Sequence, residues 1–367
     1  MANAEKPLVA RDLRPERCPV DVSVVIPVRN GIPFIEDCLL ALMKQEFEGT
    51  WEVCVYNDGS TDSTKECVEK FITVFAFEGV ELRLSHGSEC RGVGYAKNRA
   101  VEMSTGRFIC FCDADDIPLC TRLQEQYIRA TSFPENSLVF VGSNFWRSPY
   151  NSTRRYTKWA NELPCEKLTL QIFTSHGPTL VAPTWFISRD LFTQLKGFKE
   201  DVSAGYPEDL EFFYRALDVE NVCFTKVDRP LVIYRYHPGC ASFGIPENLI
   251  RKLRHSRFCS TILPKWGTFT IWNAGKQGKC FFRSLPEAEK KRVIAFCDVD
   301  EKKIGRGWYE EYNATTRLVT WKVPIIHIKA TRPPVVICVK LDMTGGHLER
   351  FVSESGWEEG RDFVYFS

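Results

Sequence analysis

Nine consecutive residues, Phe108-Ile109-Cys110-Phe111-Cys112-Asp113-Ala114-Asp115-Asp116, constrain this chain more than any other stretch. Five apolar residues in a row behind Gly106 predict a strand buried on both faces, which is the habit of a parallel sheet. Three carboxylates then crowd its C-terminal end, where open α/β sheets hold their ligands. Carboxylates packed this closely repel one another unless a cation neutralises them, and oxygen-only donors suit Mg²⁺ or Mn²⁺. By itself Asp-x-Asp is more often a solvated turn. The buried strand in front of it is what turns the reading toward a site. On period-two alternation, Asp113 and Asp115 fall on the same side of an extended backbone.

The flanking chain alternates strand and helix. Val22 to Ile26 is an apolar strand ended by Pro27, with Asn30 placed to cap the following helix and Pro33 in its first turn. Phe34, Ile35, Cys38, Leu39, Leu42 and Met43 recur at helical spacing. Trp51 to Tyr56 predicts a second strand, and Asn57 to Asp62 a turn opening a helix whose apolar face is Cys67, Val68, Phe71, Ile72 and Phe75. A short strand, Glu81 to Ser85, and a helix, Gly92 to Met103, precede the central strand. This order predicts a doubly wound α/β sheet.

The length, 367 residues, allows a second, smaller domain. No apolar run approaches the roughly 20 residues of a membrane helix, and residues 1–19 form a polar, flexible tail without the apolar core of a secretory signal. Fifteen cysteines, an odd number with several inside apolar strands and no Cys-x-x-Cys pair, predict reduced thiols in a cytoplasmic protein. The net charge of +1 conceals an asymmetry: residues 247–342 carry 19 Lys and Arg against nine Asp and Glu. A basic half is usually a solvated face and otherwise a docking surface for a polyanion.

Five segments together resemble one family. Val-Ser-Val-Val-Ile-Pro-Val-Arg-Asn (22–30), Asn-Asp-Gly-Ser-Thr-Asp (57–62), Lys97-Asn98, Cys-Asp-Ala-Asp-Asp (112–116) and Pro-Glu-Asp-Leu (207–210) resemble the family-2 inverting glycosyltransferases of GT-A fold, in that family's order. The likeness implies a UDP-sugar donor and a divalent metal. It implies that Asp58 binds uracil, with Pro27, Val28 and Arg29 as further nucleoside contacts, and that Asp115 is the principal metal ligand. Asp113 and Ala114 then face the donor or the metal's water shell, and His237 of Tyr-Arg-Tyr-His (234–237) is a third metal ligand. Arg91 and Lys97 are placed to counter the diphosphate charge. Asp209 becomes the general base with Glu208 as an acceptor contact, both at a helix N-terminus whose dipole should keep them ionised. Trp185, between the two acidic clusters, is a candidate for stacking on the acceptor. Each of these residues also has an ordinary structural fate as cap, surface charge or core.

Longer segments, including 91–98, 234–238, 269–278 and 336–342, resemble an animal subgroup of that family that transfers galactose from UDP-galactose to queuosine in tRNA, tyrosine tRNA being the expected acceptor. That likeness implies a tRNA partner, and the basic C-terminal half, dense in Arg251, Arg254 and Arg257, is the expected docking face. Beyond a basic helical linker (247–265), residues 266–367 predict a small Rossmann-like domain. Its parts are a strand 269–272, the turn Asn273 to Gly278, a helix from Cys280 to Leu285, a strand Arg292 to Cys297 followed by Asp298-Val299-Asp300, and a last strand Val335 to Leu341. The glycine pattern there is incomplete. Two other functions compete: a β-1,3-N-acetylglucosaminyltransferase using UDP-GlcNAc on a glycan or lipid, and a nicotinamide oxidoreductase or non-catalytic nucleotide-sugar-binding protein.

Overall fold

Because β1 (Val22–Val28) and β4 (Phe108–Phe111) are buried along their whole length, they form the middle of a sheet. The computed structural model describes residues 20–202, 205–313 and 315–367; the tail expected over 1–19 lies outside the described residues. With β2 (Trp51–Asn57) and β3 (Glu81–His86), β1 and β4 form a parallel block in the order β3-β2-β1-β4. Helices α1 (Phe34–Leu42), α2 (Thr64–Phe77) and α3 (Val93–Glu102) make the crossovers. The helical stripe read from the sequence is the buried face of α1, through Ile35, Cys38, Leu39 and Leu42. Asn30 does not cap α1. Its side chain accepts from the Thr61 N–H at 2.8 Å instead, tying the loop after β1 to the loop after β2.

The sheet continues through β5 (Ile117–Pro118), β6 (Val139–Ser148), β7 (Phe186–Ser188) and β8 (Cys223–Arg235). The full order is β3-β2-β1-β4-β7-β6-β8-β5, with β7 antiparallel to both β4 and β6. Helices α4 (Arg122–Thr131), α5 (Arg154–Glu162), α6 (Arg189–Gln194) and α7 (Glu208–Ala216) complete this part, and α8 (Glu247–Thr261) follows it.

A second sheet contains β9 (Phe269–Trp272), β10 (Val293–Asp298), β11 (Trp308–Tyr312), β12 (Val319–His327), β13 (Val335–Ile337) and β14 (Phe363–Tyr365). Its order is β11-β12-β10-β9-β13-β14, and all but the edge strand β11 run parallel. Without that edge strand, this is the Rossmann order 3-2-1-4-5. Helix α9 (Lys276–Ser284) crosses so close to β9 that a Cβ on Gly278 would sit 1.9 Å from the Asn273 carbonyl oxygen. Two expectations fail here. The strand placed at 335–341 stops at Ile337, and the hairpin β11–β12 has no counterpart in the sequence reading. Half-exposed antiparallel strands such as β11 lack the apolar run that betrays a buried one.

One core serves both sheets, running from Trp185 and Phe212 through Phe173, Phe258 and Phe366 to Phe296. Phe173 stacks on Phe366 at 5.4 Å between centroids, and the buried Arg254 guanidinium donates to the carbonyls of Phe173 and Ser367. Residues 340–342, past the carboxyl end of β13, therefore border the same cleft as the carboxyl ends of β1 and β4. All cysteines among the described residues are free, and none of the described helices is long and apolar enough to cross a membrane.

The expected polyanion face on α8 is corrected by the same packing. Arg254 is 5% exposed, Arg257 is paired with Asp218 at 2.6 Å and Arg251 with Glu247 at 2.9 Å. Downstream, Lys290 is buried against Glu287 and Glu311, and Arg292 pairs with Glu289. The surplus of cations over residues 247–342 is unchanged by these pairings, but it does not gather on Arg251, Arg254 and Arg257 as one free face.

Candidate active site

The loops at the carboxyl ends of the first sheet open into a cleft of about 1910 Å³. Pro27, Val28 and Arg29 at the end of β1, Asp58 after β2, and Arg91 and Lys97 around α3 all line it, as do Asp113, Ala114, Asp115, Glu208, Asp209 and His237. Every proposed donor, metal and base residue is thus in one cavity. Trp185 is not: it is fully buried, its indole N–H donates to the Leu180 carbonyl, and its ring packs edge-on against Phe140 at 4.9 Å. The acceptor-stacking role expected for Trp185 is overturned, because the residue is a core side chain.

Asp58 is buried at the junction of β2 and α3. It accepts from the backbone N–H of Arg91 at 2.9 Å and of Gly92 at 2.8 Å, and from the Cys90 thiol. These bonds clamp the loop before α3 against β2. Gly59, at φ +67°, permits that approach, since a Cβ there would lie 2.6 Å from the Glu89 carbonyl carbon. The Arg91 guanidinium lies 4.1 Å over the Tyr95 ring. Lys97 is buried, and its ammonium is bonded to Glu208 at 2.9 Å. The diphosphate role expected of Lys97 gives way to this pairing, which joins α3 to α7.

Beyond β4 the backbone does not stay extended. It turns, with the Asp116 N–H donating to the Asp113 carbonyl at 3.1 Å, so alternation is not what gathers the carboxylates. The turn does so. Ligand atoms of Asp113, Asp115 and Asp116 lie within 4.8 Å of one another, as do those of Asp115, His237 and Cys240. Asp115 Oδ2 meets His237 Nε2 at 2.9 Å, and the imidazole stacks on Phe34. Arg235 braces the turn: its N–H bonds Asp116 at 2.8 Å, its Nε the Asp115 carbonyl, and its Nη1 Asp37 at 2.8 Å.

Electrostatics mark the site. Burial pushes the Asp113 carboxyl up to about 6 against the opposing Lys97, with Asp115 and Glu208 adding to the rise. Burial, then Asp113 and Asp115, raise Asp116 as well, and its Oδ2 is buried with no hydrogen-bond partner. Three crowded carboxylates, one with an unpartnered oxygen, and an adjacent imidazole fit a hard divalent cation. Asp209, at the second position of α7, accepts the Leu210 N–H at 2.7 Å. The dipole does not hold its carboxyl low as expected. Burial, followed by the neighbouring Glu208, pushes it up to about 7.

Sequence reasoning counted Asp116 among the three crowded carboxylates without a role of its own, and missed Arg235, Cys240 and Arg147 as cleft-building residues. Arg235 sits inside a segment already singled out, Tyr234–His237, and that adjacency was the available signal. Arg147 sits in a strand with no local signal at all.

Residues 23–196 match the family model described as Glycosyl transferase family 2. Among curated proteins, an uncharacterized glycosyltransferase, EpsJ, of Bacillus subtilis is 28% identical over 228 residues, 59% of this chain and 62% of that protein. The glycosyltransferase AglE of Haloferax volcanii is 37% identical over 204 residues, covering 54% of this chain and 61% of its own. The chain thus spans less than two thirds of these relatives' length. A crystal structure of Staphylococcus aureus TarS 1–349 with UDP-GlcNAc is similar to 73% of this chain and 71% of its own, at 21% identity and a TM-score of 0.48. The match to the Glycosyl transferase family 2 model thus takes in β1 to β4 and the carboxylates Asp58, Asp113 and Asp115 at their ends, over somewhat less than half of the chain.

Proposed function

We propose that this protein is a metal-dependent, inverting glycosyltransferase that moves a hexose from a UDP-sugar to an acceptor hydroxyl. The observation that carries the reading is the joint position of Asp58, the Asp113–Asp115–His237 group and Asp209 in one cleft. Asp58 and the end of β1, Pro27 to Arg29, hold the nucleoside, with Arg91 alongside. Asp115, Asp113 and His237 would hold Mn²⁺ or Mg²⁺, and Ala114 between the two carboxylates faces the donor. Such an ion, when bound, supplies Lewis acidity to the departing diphosphate.

Asp209 takes the proton of the acceptor hydroxyl. The acceptor oxygen forms its bond to the anomeric carbon as the bond to the diphosphate oxygen breaks, and that electron pair leaves with UDP. A carboxyl at about 7 is matched to this duty at neutral pH. Glu208, fixed by Lys97, orients the acceptor. With one base and no nucleophile assigned to the opposite face, single displacement inverts the anomeric centre.

For the substrates, galactose from UDP-galactose and queuosine in tRNA are the reading we favour. Its support is the likeness of the longer segments and a cationic cleft rim of Arg154, Arg155 and Lys340. The acceptor then enters by the cleft rather than across α8, and residues 266–367, sharing a core with the first sheet, supply the far wall. The function of one relative favours an alternative. TarS of Staphylococcus aureus, a poly(ribitol-phosphate) β-N-acetylglucosaminyltransferase, is 36% identical over 95 residues, 26% of this chain. GlcNAc transfer to a glycan or polyol phosphate would follow that protein.

Mass spectrometry after incubation with UDP-galactose, UDP-glucose or UDP-GlcNAc, and with either tRNA or glycan and polyol-phosphate acceptors, decides between them. A hexose on a tRNA nucleoside from UDP-galactose alone supports the first. HexNAc on the other acceptors replaces it. UDP-sugar binding without transfer to either acceptor class would favour a silent binding protein.

A further inference from the structure

Strand β6 pairs Arg147 with Tyr234 of β8. Alternation along β6 exposes Trp146 and turns Phe145 and Arg147 inward, so a cation occupies a position that the pattern reserves for an apolar side chain. Its guanidinium carbon lies 3.7 Å from the centre of the Tyr234 ring, with Phe145 and Tyr236 at 5.5 Å and Tyr156 at 5.9 Å. Four rings enclose it. Arg147 is 8% exposed, and its Nε and Nη1 are buried without any hydrogen-bond partner.

The two other buried arginines among the described residues each keep one unpartnered nitrogen, Arg122 Nη1 and Arg254 Nε, but both are anchored on main-chain carbonyls: Arg122 on Phe111, and Arg254 on Phe173 and Ser367. No carboxylate among the described residues lies within ion-pair distance of Arg147, although the side chain lines the cleft. Ring faces favour a cation, but they do not satisfy its N–H edges, and a buried charged donor left unpaired is costly. Such a fork is preorganised for an oxyanion, carboxylate or phosphate, and phosphate is the one that a nucleotide-sugar donor or a polynucleotide or polyol-phosphate acceptor would bring.

Two anions are at issue, the donor's diphosphate and a group on the acceptor. Tyr234 and Tyr236 of the cage lie within three residues of His237, while Tyr156 lies in the field of Asp209, so the cage stands between the candidate metal group and the base. The donor's diphosphate has the divalent cation at Asp115 and His237 to meet it. We propose that Arg147 is a specificity residue that holds a phosphate of the acceptor beside the hydroxyl that Asp209 deprotonates. The assignment rests on the glycosyltransferase reading and deepens it: acceptors that carry a phosphate next to the reacting hydroxyl are preferred over their neutral counterparts.

The test is calorimetric. Inorganic phosphate is titrated, at constant ionic strength, into protein saturated with Mg²⁺ and UDP. Wild type should show saturable binding, Arg147→Gln should weaken it at least tenfold, and Arg147→Lys should fall between, since it keeps the charge and loses the fork. UDP affinity should stay within twofold in both variants. Absence of phosphate binding in wild type, or equal binding in Arg147→Gln, overturns the proposal. A tenfold loss of UDP affinity in the variant also overturns it, by assigning Arg147 to the donor. If Arg147→Gln fails to fold, Arg147→Lys decides, with unchanged phosphate affinity counting against the proposal. Failure of wild type to bind UDP would instead sink the glycosyltransferase reading. The phosphate titration is then run without UDP and judged by the same criteria.

Discussion

The carboxyl ends of the two sheets hold the same kind of residue in opposite conditions. At the end of β10, Asp298 is buried yet fully served. It accepts from the N–H groups of Ala274, Val299 and Asp300 and from the Lys303 ammonium, at 2.9 to 3.1 Å. Burial alone would raise its carboxyl, but those bonds outweigh it and hold the group below the usual carboxylate range. At the end of β4, Asp113 and Asp116 are crowded by other carboxylates and raised, and Asp116 keeps an unpartnered oxygen. Both places are where α/β folds bind ligands. Position in the fold therefore nominates a site, and uncompensated charge singles out the place for a cation within it, since Asp58 in the same cleft is as fully bonded as Asp298. On that criterion the candidate cation site lies at the end of the first sheet rather than of the second.

The largest effect should come from the base. Asp209→Asn should lower turnover by about 10²–10⁴-fold, the usual worth of a general base, with UDP affinity retained. Asp298→Asn, at the corresponding end of the other sheet, should leave turnover within about threefold. Steady-state kinetics of the two variants side by side would erase the contrast if both lost activity equally.

Removal of the ion comes next. EDTA should abolish transfer and Mn²⁺ or Mg²⁺ should restore it. In Asp115→Ala the metal concentration for half-activity should rise by at least the 10–100-fold that loss of a supporting partner alone costs. Full activity in chelator would remove the metal from the first sheet and with it half of the comparison.

The pH profile sharpens it further. Asp209 acts deprotonated, so with its carboxyl at about 7 the rate should fall as pH drops through that value, approaching tenfold per unit below it. The remaining activity of Asp209→Asn should not show this limb. Stability should run the opposite way, falling as pH rises. The folded state binds this proton more tightly than the unfolded chain, so raising the pH from about 4 to 7 costs stability. Asp209→Asn should then raise the melting temperature at pH 8. Asp298 is the reverse case, a lowered carboxyl whose stabilisation is present at neutral pH and lost in acid. Asp298→Ala should lower stability by about 1–3 kcal/mol, because several buried N–H groups lose their acceptor. Thermal melts of both variants at pH 5 and pH 8 check the crossing.

The smallest effect is expected on α8. Arg251→Glu and Arg257→Glu replace cations already paired with Glu247 and Asp218, so tRNA affinity in filter binding should change less than about threefold. A larger loss would return a polyanion face to that helix.

What the sequence determined by itself was whatever depends on local order. The buried run at β4, the strand–helix alternation, the carboxylate segments 113–116 and 208–209 and the Rossmann-like turn before α9 are all written in consecutive residues, since burial and backbone geometry repeat at fixed periods. What only tertiary structure decided is which polar groups find partners. Lys97 meets Glu208 111 residues away, Asp115 meets His237 across 122, and Arg254 disappears into the seam between the sheets. Trp185 and Arg147 show the two outcomes most plainly. An aromatic chosen for a ligand is core, and an arginine in an unremarkable strand stands caged at the cleft. Charge and burial act through space, over a few ångströms, and no spacing along the chain encodes which distant groups will share that space.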